Sequence, residues 1–146
     1  MVSKPKVFLS KLADGYAGPV STGLISVGFF ETVRPGATVF LKPNFTFPTY
    51  RPGVMTSFEC IKATTECLIQ RGYKVIIGEA QSGGYNPFSM DAVFEEMGMN
   101  ELARQTGARL VKSGRTPPTF VSPNVGLPAD HNQHVFQEYE RFVRGR

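Results

Sequence analysis

The sequence predicts an α/β fold: three layers, with a mainly parallel sheet of about four strands and helices on both faces. Three observations lead there. Short apolar runs alternate with stretches of helical period. Two of those runs, Val39–Leu41 and Tyr73–Ile77, lack the polar alternation of a half-exposed strand, as strands covered on both faces do. Both end abruptly in polar residues, Lys42-Pro43-Asn44 after the first and Gly78-Glu79 after the second.

Taken in order, Lys6–Ser10 is short and rich in β-formers and is expected as the first strand. Asp14, Gly15, Gly18 and Pro19 mark a turn. Ser21 or Thr22 can cap a helix that runs to about Val33, and Arg34-Pro35-Gly36 ends it. Ala37–Leu41 is the second strand. A long loop rich in proline, threonine and aromatics follows, from Pro43 to Gly53. Loops of that length in compact domains are functional or disordered, and the aromatics argue against disorder.

Thr56 starts the clearest helix, with Thr56 and Glu59 as a capping box and Phe58, Ile61, Thr65 and Leu68 as its apolar face. Gly72 stops it. Tyr73–Ile77 is the third strand, and a glycine-rich loop follows. Ser89 caps a helix with a Met90, Val93, Phe94, Met97 stripe, ended by Gly98. Glu101–Thr106 is one more helical piece, and Ala108–Val111 the fourth strand. From 113 to 146 periodicity is lost among four prolines, apart from a terminal helix expected near His134–Val143.

Composition narrows the function classes. The 146 residues suffice for one domain with a core. The net charge of +4 is mild and its basic residues are scattered, so no nucleic-acid surface is expected. No apolar run approaches the roughly 18 residues of a membrane span. No secretory signal is read at the amino terminus, and a cytoplasmic protein without membrane association is expected.

The candidate site lies where the second and third strands end, because open parallel sheets bind ligands at their carboxyl edge. Lys42 can hold an anion as a point charge, or reach into solvent. Asn44 can touch a ligand or anchor its own loop. Glu79 can act as acid or base or pair structurally with Lys42. Ser82, Gly83 and Gly84 can offer backbone amides to an anion or make a tight turn. Lys42 and Glu79 are the catalytic candidates. Lys42, Asn44, Ser82, Gly83 and Gly84 are the ligand-binding ones.

No metal site is expected. Cys60 and Cys67 lie two turns apart on one helix and read as buried, inert thiols. Asp130-His131 with His134 is a weak metal signal.

Leu41-Lys42-Pro43-Asn44, then Gly78-Glu79-Ala80-Gln81-Ser82-Gly83-Gly84-Tyr85-Asn86, then Phe88-Ser89-Met90-Asp91 occur in order. With Gly98, Glu101, Leu102 and Ala103 and the Gly107–Val111 segment, they resemble the family called domain of unknown function 362, over about residues 5–112. Residues 113–146 look unlike the family, which implies a truncated member with a divergent tail. The resemblance implies a redox setting in which iron–sulfur clusters are carried by a separate module or partner protein. With two cysteines, this chain is expected to bind no such cofactor itself. Two readings follow: an enzyme domain that binds a small anionic molecule at the edge of the second and third strands, or a non-catalytic remnant or interaction module.

Overall fold

A computed structural model describes residues 5–80 and 88–113. Among them the order is α1 (Ala17–Ser26), α2 (Phe29–Thr32), β1 (Thr38–Leu41), α3 (Phe58–Gln70), β2 (Lys74–Ala80), α4 (Met90–Glu96), α5 (Met99–Thr106) and β3 (Arg109–Ser113). The sheet runs β1-β2-β3 and both pairs are parallel. Thr38 aligns with Lys74 and Leu41 with Ile77 in the first pair; Ile76 aligns with Arg109 and Ala80 with Ser113 in the second. The expected α/β class with a parallel sheet is what the chain forms.

Three described strands replace the four expected. Lys6–Ser10 pairs with nothing in the sheet, and Val7 and Leu9 are 82% and 90% exposed. Its one inward residue docks elsewhere: a Cβ on Gly23 of α1 would meet the Phe8 ring at 2.9 Å. Strand propensity is a statement about fit to a half-buried pleated surface. This segment found a helix instead.

Every described helix contributes to, or packs on, one hydrophobic cluster, which holds Val75 and Ile77 of β2 with Ile61, Leu68, Val93, Phe94, Met99 and Leu102. The neighbouring Ile76 and Gly78 point to the opposite face. Ile76 is buried there as well, at 5%.

Helix boundaries moved for local reasons. α1 starts at Ala17, ahead of the expected cap. Pro19 sits in its first turn, where a missing N–H is no loss, and Val20 N–H makes the bond to Tyr16 O at 2.9 Å. Gly28, at φ 76°, breaks the expected single helix into α1 and α2. Ser57 caps α3, its hydroxyl accepting from Cys60 N–H at 3.3 Å, so the cap is one residue later than Thr56. Ser89 caps α4 as expected, and Met90, Val93, Phe94 and Met97 are all buried. The expected terminal helix lies outside the described residues. No described helix is long and apolar enough to cross a membrane.

Candidate functional site

β1 and β2 run side by side and end on the same edge, and each delivers one charged residue there. Lys42 directly follows Leu41 at the end of β1; Glu79 is near the end of β2. They meet as an ion pair. Lys42 Nζ lies 2.8 Å from Glu79 Oε1 and donates to Oε2 at 3.0 Å. The pair is lopsided: the lysine side chain is 41% exposed and the glutamate 9%. The carboxylate is thus the inner member and the ammonium the outer one. An anion arriving from solvent meets the ammonium first.

Glu79 can be held this deep because its strand is central, with β1 on one side and β3 on the other. β2 also runs further than the expected Tyr73–Ile77, through Gly78 and Glu79 to Ala80. Gly78 permits this extension. A Cβ there would lie 2.7 Å and 2.8 Å from two atoms of the Phe40 ring and 3.2 Å from Val111 O. The glycine lets the Phe40 ring lie against the backbone at the point where the strand turns polar.

Asn44 is placed at the start of the long loop and ties it to the entry of α3. Its backbone N–H donates to Thr56 Oγ1 at 2.9 Å, and Thr56 N–H donates back to Asn44 O at 3.1 Å. Its side-chain amide donates to Val54 O at 2.8 Å, and its Oδ1 accepts from the Thr46 hydroxyl. Between those ties, Phe45 is buried against Phe94 of α4 with ring centroids 5.8 Å apart. Arg51 lies over the Phe47 ring at 3.9 Å. The loop is thereby fastened at the base, at an aromatic anchor and at a cation–π contact. Sequence reasoning missed the role of Thr56, which closes the loop on Asn44 and does not cap the helix.

Ser82, Gly83 and Gly84, and Asp130, His131 and His134, lie outside the described residues. Among the described residues no group of three His, Cys, Asp or Glu could hold a metal ion. Cys60 and Cys67 are free and half-buried. Burial pushes the Cys60 thiol up, against a smaller opposing pull from its hydrogen bond with Thr64. A raised thiol holds less thiolate at neutral pH, which is the form that ligates metal and attacks electrophiles.

The register partner of Glu79 on β3 is Lys112. It repeats the pattern that marked Lys42, a lysine directly after an apolar strand residue, here Val111. Ending the expected strand at Val111 hid it.

Fold and site together define a parallel α/β domain with an ion pair at the carboxyl edge of its sheet. No curated protein and no solved structure matches the chain. A family model does, over residues 39–138, and the chain belongs to that family, the domain of unknown function DUF362. The match opens at β1 and continues past residue 112, where the motifs alone placed its end.

Proposed function

We propose that the chain is a small-anion-binding domain whose site is the carboxyl edge of β1 and β2. Lys42 holds the anion and Glu79 sets the lysine's position. In the enzyme form of this reading Glu79 also serves as acid or base. Ser82, Gly83 and Gly84, which follow Glu79 in sequence, add backbone amide donors, and Asn44 shapes the loop beside the site. The redox setting, with an iron–sulfur cluster on a separate protein, is carried into this reading by family likeness.

The observation that supports it is the lopsided ion pair, an outward ammonium on a buried carboxylate. The buried carboxylate fixes the ammonium at the edge, while 41% of the lysine side chain stays open to what reaches it from solvent. The same pair favours a second reading, a structural or interaction module in which Lys42 and Glu79 only brace β1 against β2. One titration separates them. Inorganic phosphate is titrated calorimetrically into the protein, Lys42→Ala and Glu79→Gln. Anion binding predicts affinity about two- to fivefold weaker in Lys42→Ala, the range of an exposed charge contact. It predicts tighter binding in Glu79→Gln, where the competing carboxylate is gone. Equal affinity in all three leaves the brace.

A further inference from the structure

We propose that Thr56 is a positioning residue for the anion site: acting through Asn44, its hydroxyl fixes the backbone from which Lys42 reaches the sheet edge. The proposal rests on Lys42 as the anion-holding residue. Lys42 stands between two constraints. Behind it, Leu41 is held in the sheet by its register with Ile77. Ahead of it, Pro43 is buried and has no N–H to donate, so the next backbone donor along the chain is Asn44. That N–H donates to Thr56 Oγ1 at 2.9 Å, and Thr56 N–H donates back to Asn44 O at 3.1 Å. The two residues are twelve positions apart in sequence, so these two bonds close the whole loop between them.

The surroundings leave the hydroxyl with this task. Ser57 caps α3 with its own side chain, so the Thr56 hydroxyl is not needed by the helix. Asn44 lies between buried Pro43 and buried Phe45, and its amide cannot turn to another acceptor without moving one of them. Met55, the residue before Thr56, is also buried, at 6% exposure, which holds the acceptor's side of the closure in place. Without the hydroxyl, the Asn44 N–H turns to water and the step from Lys42 to Asn44 is free to shift. The long, flexible lysine stem still reaches Glu79. What changes is the direction from which the ammonium approaches, and how much of it stays ordered toward solvent. A binding group already held in place costs less to order when its ligand arrives.

The probe is inorganic phosphate, titrated at fixed ionic strength and followed by backbone amide chemical shifts. The variants are Thr56→Val, which keeps the branched shape and loses the hydroxyl, Thr56→Ser, which keeps the hydroxyl, Ser57→Ala, Lys42→Ala, and Thr56→Val combined with Lys42→Ala. Thr56→Val should bind phosphate about twofold more weakly, and no more weakly than Lys42→Ala, since an effect carried by the lysine cannot exceed its removal. Thr56→Ser should keep the affinity. Ser57→Ala weakens α3 without touching Asn44 and should leave the affinity unchanged, which separates positioning from loss of stability. In the Lys42→Ala background Thr56→Val should add nothing, the non-additivity of residues that act through one contact. Should Thr56→Val not fold, Thr56→Ala takes its place with the same expectations. Unchanged affinity in Thr56→Val, an equal loss in Ser57→Ala, or a loss that persists without Lys42 overturns the role of Thr56 and leaves Lys42 standing. Affinity unaffected by Lys42→Ala overturns the anion site and this inference with it.

Discussion

Gly78 lies against the Phe40 ring with no room for a methyl group. The nearest ring atoms stand 2.7 Å and 2.8 Å from where a Cβ would be, closer than real Cβ contacts come. The third neighbour, Val111 O, is backbone and yields less readily. Gly78→Ala therefore forces the ring or the strand to shift, at about 1–3 kcal/mol of overpacking strain. Glu79 is the next residue, so a shifted strand end also disturbs the ion pair with Lys42. Denaturant titration of Gly78→Ala and of Gly78→Ala with Phe40→Leu tests the cause. The smaller side chain should recover part of the loss, a less than additive pair as touching residues give. Additive losses would place the strain elsewhere. The lysine, the asparagine and the glutamate of the candidate site could be picked out because polar residues end apolar runs. That Lys42 and Glu79 touch could not, since it depends on which strands are neighbours and in what register.

At the scale of elements, two adjacent hydroxyls do different work. Thr56 bonds both ways to Asn44, and Ser57 caps α3. Sequence spacing favoured Thr56 as the cap because a glutamate stands three positions on, as a capping box requires. Ser57 has Cys60 at that position and still caps, because a hydroxyl accepting from the N3 amide is sufficient by itself. The two substitutions should therefore separate. Ser57→Ala should lower global stability by about 1 kcal/mol. Thr56→Ala should instead speed amide exchange locally, at Asn44, whose N–H loses its acceptor. Hydrogen exchange read residue by residue decides it. Faster exchange along the first turn of α3 in Thr56→Ala, with Asn44 unchanged, would return the cap to Thr56. The lost amino-terminal strand has the same origin as this misplaced cap. Local pattern names what a segment can do, and tertiary neighbours choose among the options.

At the scale of the molecule, one cluster holds the described helices to the sheet. Parallel order and helix alternation were legible because right-handed crossovers and buried strands leave strong local signals. The core residues of α3 were legible from helical spacing: Ile61, Thr65 and Leu68 are 4%, 0% and 1% exposed, while Phe58 is half-buried. Ile76 of β2 is buried as well, at 5%. Leu68 is the sharpest test of that single cluster. It sits in the last turns of α3, and its carbonyl accepts from Arg71 N–H and Tyr73 N–H, each at 3.1 Å, where the helix turns into β2. Leu68→Ala removes a side chain enclosed by helices and sheet and leaves a cavity that the rigid strand cannot collapse into. The expected cost is about 2–5 kcal/mol, read from the denaturant midpoint with the slope unchanged. Because the cluster is shared, the loss should appear in one cooperative transition, with α5 and β2 melting together. A cost below about 1 kcal/mol would show that Leu68 is not packed as tightly as its burial indicates. Two separate transitions would divide the cluster between independently stable parts.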